Sequence, residues 1–286
     1  MDKYVVAVSG GVDSVVLLDM LSKKLPTIYQ LPSNNYQLVV AHFDHGIRED
    51  SAADAVFVAG LASKYNLVFE TKREKLGPNA SEEKARNRRY EFLRSVAKKH
   101  NAKLVTAHHA DDIVETVAIN LLRGTGWRGL AVLDSGIIRP LTDMSKSEII
   151  NYAQENKLEW HEDSTNASDA YLRNRIRHKT VELDDDTRRQ LLGLWAEQKS
   201  LKSLIDDEVV GLASDGPNYS RYFFTHLDLS TGLELLRHIV GARLTRPQLT
   251  KVLHAIKTIL PNKTYQAGGG VKINFTSRNF TVELIK

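Results

Sequence analysis

Cysteine is absent from this chain of 286 residues. Its absence excludes disulfides, thiolate-ligated zinc, cysteine nucleophiles and sulfur transfer through a protein persulfide. Long apolar runs are missing too, because none approaches the roughly 18 residues that a membrane-spanning helix requires. A strand-like pattern follows directly on Met1-Asp2-Lys3, which predicts no signal peptide. The sequence therefore predicts a cytoplasmic protein with no membrane partner and no sulfur chemistry.

The charge of the chain is close to balanced but unevenly distributed. Its composition, 42% hydrophobic and 26% charged, is typical of a soluble globular protein. Residues 1–199 contain 28 basic and 28 acidic side chains, whereas residues 200–286 contain 11 and 7, so the net charge of +4 belongs to the C-terminal part. Two basic clusters fit either a polyanionic partner or a solvated helix face. They are Lys84, Arg86, Arg88, Arg89, Arg94, Lys98 and Lys99, and Arg173, Arg175, Arg177 and Lys179.

Short β-rich runs alternate with helical patterns in the first half of the chain. The strands of this pattern are too far apart for hairpins. It therefore predicts an α/β fold with a doubly wound, mainly parallel sheet, in which ligands bind at the carboxyl ends of the strands. The predicted strands are 4–8, 38–43, 67–70 and 104–107, and the predicted helices lie near 14–24, 51–65, 81–100 and 111–122.

After about residue 179 the alternation stops. A long helix is predicted from the acidic run 184–186 to about residue 209. Helical patterns recur at 229–240 and 246–259, and short strands are predicted at 264–266, 271–275 and 280–285. A chain of this length is expected to form two domains. We predict a catalytic domain at 1–185, a helical linker at 186–211 and a smaller helical and β domain at 212–286.

The most informative segment is the turn between the first predicted strand and the first helix. Its residues are Ser9, Gly10, Gly11, Val12, Asp13 and Ser14. Free N–H groups at a helix N-terminus form an anion site, and two glycines let the backbone approach a phosphate closely. The two serines add hydroxyl donors, and the aspartate can cap the helix or hold a cation. The lysine of the Walker-A loop is absent, so this is not the loop of kinases and GTPases. The alternative is a helix N-cap with an incidental glycine pair.

Polar residues follow the second and fourth predicted strands. The segment His42-Phe43-Asp44-His45 ends the second strand, and Asp44 is expected beside the glycine turn. The segment His108-His109-Ala110-Asp111-Asp112 opens the fourth helix, where Asp112 and Glu115 face the same side. Acidic residues also complement a helix dipole, but this cluster exceeds that need. Adjacent histidines lack the spacing of a helical zinc site, so we expect Mg²⁺ and a cationic substrate.

Arginines accompany these segments. Arg86 and Arg89 share a face of the third predicted helix, and Arg123 lies beside Gly124 at the end of the fourth, where it could reach a phosphate. Arg173 and Arg177 are four residues apart and would present one guanidinium face. A solvated basic surface is the alternative interpretation.

The order of these motifs resembles the tRNA(Ile)-lysidine synthase family of N-type ATP pyrophosphatases. The resemblance covers about residues 4–178, and Ile113 departs from the family's usual glutamine. The last 80 or so residues match weakly, and the further C-terminal domain of longer members has no counterpart, which predicts a short form. In chain order the motifs are SGGVDS, HFDHGIR, AR-x-x-RY-x-FL, HHADD-x-x-ET, R-G, IRPL, DSTN and RN-x-x-R.

The resemblance implies an ATP-dependent ligase that joins free lysine to C2 of cytidine 34 in the CAU anticodon of tRNA(Ile). The tRNA then reads AUA instead of AUG. ATP first adenylylates O2 of the cytosine with release of pyrophosphate, and the ε-amine of lysine then displaces AMP. The cofactors implied are ATP and Mg²⁺, the partners are tRNA(Ile) and free lysine, and a homodimer is allowed.

The resemblance also assigns roles to residues. A free lysine amine has a pKa near ~10.4, so carboxylates must attract the ammonium and then accept its proton. The catalytic residues implied are Asp44, Arg89, Asp112 and Glu115, and the metal contacts are Asp13 and Asp112. The nucleotide contacts implied are Ser9, Gly10, Gly11, Val12, Asp13, Ser14, His42, Arg86, Arg123 and Arg173.

Other functions remain open from the sequence. The tRNA thiolases are poor candidates, because they carry sulfur on cysteine. The NAD and GMP synthetases share the glycine turn but not the HHADD and RN-x-x-R motifs. A non-catalytic RNA-binding module that senses ATP is disfavoured, since the carboxylates would hinder binding of a polyanion.

Overall fold

The computed structural model describes residues 1–25, 35–46, 51–77, 81–133, 136–161, 176, 179–180, 182–213 and 217–285. The chain divides into two compact units, Met1–Lys199 and Ser200–Lys286. Strands of the first unit are β1 (Asp2–Ala7), β2 (Tyr36–Asp44), β3 (Val68–Arg73) and β4 (Lys103–Val105). They form a parallel sheet in the order β3-β2-β1-β4, which confirms the predicted sheet.

Helices cover both faces of this sheet. Those described in the first unit before residue 160 are α1 (Val12–Ser22), α2 (Ser51–Lys64), α3 (Glu82–Lys99), α4 (Ala110–Leu122) and α5 (Lys146–Glu155), with a short 3-10 turn at Trp127–Gly129. Ser81 caps α3 by accepting a hydrogen bond from the amide of Lys84, and Ser145 caps α5 in the same way. The predicted helices are therefore confirmed.

The side chains of β1 alternate between two hydrophobic layers. Tyr4 and Val6 pack with α1, α2 and α5 on one face, whereas Val5 packs with α3 on the other. α1 is buried over most of its surface, which explains why its sequence is apolar on nearly every side. The order of the strands reverses between β1 and β4, so the glycine turn lies at the topological switch point of the sheet.

A buried carboxylate joins α1, the end of α2 and α5. Asp19 on α1 is 1% exposed and accepts hydrogen bonds from the hydroxyls of Tyr65 at 2.6 Å and Tyr152 at 2.7 Å. The ammonium of Lys23 lies 2.8 Å from the same carboxylate. Burial raises the pKa of Asp19, but the hydrogen bonds from Lys23, Tyr152 and Tyr65 outweigh it and hold the pKa below its usual value. The three elements are thus fixed by one ionised group.

The second unit combines an antiparallel sheet with amphipathic helices. Its strands are β5 (Asn218–Ser220), β6 (Thr264–Gly268), β7 (Val271–Phe275) and β8 (Asn279–Leu284), in the order β5-β8-β7-β6. The helices after residue 180 are α6 (Asp185–Leu212), α7 (Arg221–His226), α8 (Leu229–Val240) and α9 (Arg246–Thr258). Leu236, Leu249 and Ile256 are fully buried between these helices and the sheet.

The C-terminal elements differ in two places from the sequence interpretation. The last three strands and the helices near 229–240 and 246–259 are confirmed, and the positive φ angles of Gly268–Gly270 form the turn between β6 and β7. The short strand β5 and helix α7 were not predicted, because the turn signal at 214–218 hid a three-residue strand. None of the helices in the described part of the chain is long and apolar enough to cross a bilayer.

Candidate active site

The turn at residues 9–14, here called the glycine loop, has the shape of an anion cradle. Gly10 has a φ of +99°, a conformation that glycine adopts without strain, and Gly11 precedes the first turn of α1. The hydroxyl of Ser14 donates to the carbonyl of Gly11 at 2.8 Å and accepts the amide of Ser9 at 3.1 Å. No side chain caps α1 at Gly11, so its first amides face outward at the positive end of the helix.

Residues far away in sequence support the glycine loop from behind. The amide of His161 donates to the carbonyl of Gly10 at 3.0 Å. The imidazole of His161 stacks on Phe57 with ring centroids 4.4 Å apart, and its Nδ1 lies 2.7 Å from the carboxylate of Asp54. A Cβ on Gly10 would lie 3.6 Å from the Phe57 ring. The loop is therefore held by α2 and by the segment after α5.

His42 joins the ends of β1 and β2. It is 3% exposed, and its Nδ1 donates to the carbonyl of Val8 at 2.8 Å, directly before the glycine loop. In the neutral imidazole, this bond places the proton on Nδ1 and leaves Nε2 as an acceptor. Within the described residues Nε2 has no hydrogen-bond partner. A buried acceptor of this kind can receive a donor from a ligand.

The start of α4 brings acidic residues to the glycine loop. His109 precedes α4, and its Nε2 lies 3.9 Å from the carboxylate of Asp13 and 3.5 Å from that of Asp112. The amide of His109 donates to the Asp112 carboxylate at 3.1 Å. The two carboxylates that the sequence assigned to one site therefore converge on one imidazole nitrogen, although about 100 residues separate them in sequence.

Lys146 places a third charge in this cluster. It is the first residue of α5, and its ammonium lies 2.6 Å from Asp13. Its amide donates to Asp111 at 2.7 Å, and Arg188 on α6 pairs with the other oxygen of the same carboxylate. Asp111 thus joins the starts of α4 and α5 to α6, while Asp13 and Asp112 lie next to the loop.

The charges of this cluster shift its pKa values in opposite directions. Burial lowers the pKa of His109, but the Asp111 carboxylate, 3.6 Å from Nδ1, and the charges of Asp112 and Asp13 outweigh it, so the pKa is raised above its usual value. The imidazole of His109 in turn holds the pKa of Asp111 well below its usual range, against the effect of burial. The imidazolium form of His109 is favoured, and it balances part of the negative charge beside the loop.

Other residues predicted from the sequence have partners of their own. Asp44 ends β2, is 4% exposed, and accepts the amide of Gly46 at 2.7 Å and the guanidinium of Arg73 at 3.1 Å. Glu115 is buried on α4, one turn after Asp112. Arg123 is an exposed residue at the end of α4.

Arg86 and Arg89, two of the arginines that the sequence analysis assigned to the site, lie on α3. The guanidinium carbons of Arg86 and Arg89 lie 5.1 Å and 5.6 Å from the centroid of the Tyr90 ring. α3 packs on the face of the sheet opposite α1. The predicted contacts Arg173 and Arg177, and the segment 162–166, lie outside the described residues.

The donor set at the loop suits a hard cation. Among the described residues, no group of three or more histidine, cysteine, aspartate or glutamate side chains is arranged to hold a metal ion. Mg²⁺ typically binds through one or two carboxylates together with substrate phosphates and water. The oxygens of Asp13 and Asp112 fit that description, because they converge beside an anion cradle.

Sequence reasoning missed four contributors to this site, which are Lys146, Arg188, His161 and Asp54. The sequence shows only that Lys146 follows Ser145, the residue that caps α5, and so begins that helix. His161 and Asp54 gave no signal, because their pairing depends on how α2 and the segment after α5 pack around the loop. Tertiary contacts of this kind leave no local pattern.

A family model for the PP-loop domain matches residues 1–183 of this chain. The matched region includes the glycine loop, β1 to β4 and the acidic start of α4. The chain belongs to the PP-loop family.

Two curated relatives of this PP-loop protein have the same name. It is 34% identical over 275 residues to the tRNA(Ile)-lysidine synthase of Thermotoga maritima, an alignment that covers 90% of this chain and 65% of that protein. It is 32% identical over 285 residues to the tRNA(Ile)-lysidine synthase of Enterococcus faecalis, with 88% of this chain and 59% of that protein covered. The chain therefore spans less than two thirds of the length of these relatives.

A solved structure shows the same fold. The U34-tRNA thiolase NcsA from Methanococcus maripaludis superposes with a TM-score of 0.57 at 21% sequence identity, over 70% of this chain and 72% of that one. At this identity the likeness concerns the fold alone. It agrees with the parallel sheet and the flanking helices described above.

Proposed function

We propose that this PP-loop protein uses ATP to attach free lysine to C2 of cytidine 34 in tRNA(Ile) with a CAU anticodon. The observation that carries the proposal is the convergence of an anion cradle and a cluster of carboxylates at the switch point between β1 and β4. The similarity to curated tRNA(Ile)-lysidine synthases supports the choice of tRNA and lysine as substrates. A cytoplasmic location follows from this proposal.

In the first step, O2 of the cytosine attacks the α-phosphorus of ATP and pyrophosphate leaves. The outward amides of the glycine loop, with Ser9 and Ser14, hold the departing pyrophosphate at the positive end of α1. The ammonium of Lys146 lies 2.6 Å from the Asp13 carboxylate, and it neutralises part of the negative charge of the polyphosphate. The Nε2 of His42, which has no hydrogen-bond partner among the described residues, accepts a donor of the nucleotide. The target base must be unstacked for this chemistry.

Mg²⁺ belongs to this proposal as the partner of ATP. Asp13 and Asp112 would hold it, and it would offset negative charge on the phosphates. To hold the metal, Asp13 would have to give up its ion pair with Lys146.

In the second step, the ε-amine of lysine attacks C2 and AMP leaves. We assign two tasks to Asp112 and Glu115: they attract the ammonium of lysine, and they accept its proton. The two residues lie one turn apart on α4. Asp44 has the same role in this proposal. It can contact lysine only after its ion pair with Arg73 and its hydrogen bond from the Gly46 amide break. The two steps release one pyrophosphate and one AMP for each lysine joined.

The arginines and the C-terminal part complete the proposal. Arg86, Arg89, Arg123 and Arg173 orient phosphate groups of AMP or tRNA. The region 1–185 acts as the catalytic domain, 186–211 as a link, and 212–286 contacts the tRNA. An excess of basic side chains after residue 199 supports that last assignment.

One incubation tests the whole proposal. The protein is mixed with ATP, labelled lysine and total tRNA, and we expect label in tRNA together with one AMP for each lysine incorporated. AMP formed with ammonium as the amine donor and without tRNA would indicate an amidating synthetase instead. Binding of tRNA and ATP without formation of AMP would indicate a non-catalytic RNA-binding module.

Carboxylate variants test the second step. Asp112→Asn and Glu115→Gln keep the shape of the side chains and remove their negative charge, so we expect lysine incorporation to fall by about 10²-fold or more. Glu155→Gln, an exposed residue on α5, is the matched control and should keep wild-type activity. Wild-type lysidine formation by both site variants would remove these carboxylates from the mechanism.

A variant of Asp13 tests the first step. Asp13→Ala should abolish ATP–pyrophosphate exchange in the presence of tRNA. Asp2→Ala, at the amino end of β1 and thus at the opposite edge of the sheet, should leave exchange unchanged. Equal exchange rates for the two variants would contradict the placement of Asp13 in the nucleotide site.

A further inference from the structure

A second basic site lies on the face of the sheet opposite the glycine loop. It is a cavity of about 310 Å³ between α3 and residues 137–139, lined by Arg86, Tyr90, Arg94 and Arg139 among others. Tyr90 packs in the same hydrophobic layer as Val5, whereas α1 packs on the other layer. The anion cradle at α1 therefore does not form part of this cavity.

The cavity concentrates guanidinium groups around one aromatic ring. The guanidinium carbons of Arg86 and Arg94 lie 5.1 Å and 5.9 Å from the ring centroid of Tyr90. Arg139 is 6% exposed, and its Nη1 donates to the carbonyls of Ile137, at 3.1 Å, and Leu133. The ring and the carbonyls hold these groups in place, so little side-chain entropy is lost when they bind an anion.

Among the described residues that line the cavity, Glu91 is the one acid, and it contacts the guanidinium of Arg88 at 2.5 Å. Arg88 also pairs with Glu74 at 2.8 Å. The lining thus carries an excess of positive charge. Guanidinium groups bind phosphate oxygens in bidentate fashion, which makes a phosphate ester the matching ligand.

The basic surface extends beyond the cavity. Arg86, Tyr90, Arg94 and Lys98 follow one another at intervals of four residues, so they lie along one side of α3. Twelve residues of α-helix span roughly 18 Å. A line of charge of this length exceeds one phosphate group and suits successive phosphates of a polymer.

We infer that this cavity binds a backbone phosphate of the RNA substrate, with Arg94 and Arg139 as contacts in addition to Arg86. The inference rests on the proposed function for the identity of the RNA. The protein then has two anion sites, one at α1 for the pyrophosphate of ATP and one at α3 for the RNA backbone.

The test is a salt titration of RNA binding. Binding of a tRNA(Ile) transcript with a CAU anticodon to the full chain is followed by fluorescence anisotropy at a series of KCl concentrations. Arg94→Gln removes an exposed side chain, and we expect the Kd to rise about three- to tenfold and the slope of log Kd against log [KCl] to fall by about 0.7–0.9. Arg94→Lys should keep the slope, because it keeps the charge.

Lys64→Gln is the matched control. It removes one positive charge from an exposed residue at the end of α2, which packs on the other face of the sheet, and should leave slope and Kd unchanged. ATP affinity should be equal in all three variants. An Arg94→Gln variant that matches Lys64→Gln in RNA binding, or that loses ATP affinity instead, would overturn the inference.

The lysine-incorporation assay separates this inference from the proposed function. Wild-type lysidine formation together with unchanged RNA binding by Arg94→Gln refutes the phosphate site alone. Weakened RNA binding by Arg94→Gln without any lysidine formation by the wild type refutes the proposed reaction alone. A wild-type protein that binds no RNA refutes both.

Discussion

Replacement of Tyr152 by phenylalanine is the sharpest test of how the first unit is held together. The variant removes one hydroxyl, which donates to the buried carboxylate of Asp19 at 2.7 Å, and leaves the donation from Tyr65 in place. A hydrogen bond to a charged group contributes about 1.5–3 kcal/mol to stability. We expect the free energy of unfolding to fall by that amount.

Tyrosine residues of the same unit supply graded controls. The hydroxyl of Tyr36 donates to the neutral carbonyl of Leu21 at 2.8 Å, so Tyr36→Phe should cost about 0.5–1.5 kcal/mol. The buried hydroxyl of Tyr4 has no partner among the described residues, so Tyr4→Phe should be neutral or stabilising. The expected order of destabilisation is Tyr152, then Tyr36, then Tyr4.

Urea unfolding followed by tryptophan fluorescence measures these differences. All three tryptophans, Trp127, Trp160 and Trp195, belong to the first unit, so the signal reports that unit. A cost for Tyr152→Phe no larger than that for Tyr4→Phe would refute the role given to the Asp19 cluster.

The pH dependence gives an independent check. The pKa of Asp19 is lowered in the folded protein, so its contribution is fully present above the usual carboxyl pKa of 3.8 and is lost as pH falls through the lowered value. The cost of Tyr152→Phe should therefore shrink in acid, where the carboxyl becomes neutral. A cost that stays constant through the acid range would show that the partner of Tyr152 is not an ionised carboxylate.

Three further changes probe other parts of the molecule. Gly10→Ala should destabilise the first unit by at least about 1 kcal/mol, because φ is +99°, and should abolish pyrophosphate exchange. Ser145→Ala removes the cap that accepts from the amide of Glu148 and should cost about 1 kcal/mol in the same urea assay. Leu236→Ala, fully buried in the second unit, should cost about 2–5 kcal/mol by hydrogen exchange of that unit, whereas Leu229→Ala, 54% exposed, should cost less than about 0.5 kcal/mol.

The fold of the first unit could be predicted because its signals are local. The signals are the apolar runs, caps such as Ser81, and the glycine turn, and each of them acts within a few residues. The long segments between consecutive strands exclude hairpins. The short strand β5 escaped prediction because three residues next to a turn carry too little pattern. Its place is set by pairing with β8, about 60 residues later in sequence.

The candidate site was predictable in its motifs but not in its pairings. The sequence identified Asp13 and Asp112, and the structure brings both to His109. Lys146 and Arg188 reach the same cluster from α5 and α6, and no spacing in the sequence relates them to it. Asp44 was assigned a catalytic role from the family resemblance, and only the structure reveals its pairing with Arg73.

The hydrogen bond between Gly10 and His161 makes the cradle a product of the whole first unit. The two residues are about 150 positions apart, so a ribosome must synthesise most of the unit before the turn acquires its final support. Transplanting residues 4–22 into a foreign scaffold would transfer the motif without this brace. A growing chain can form this support only after residue 161 has emerged and docked.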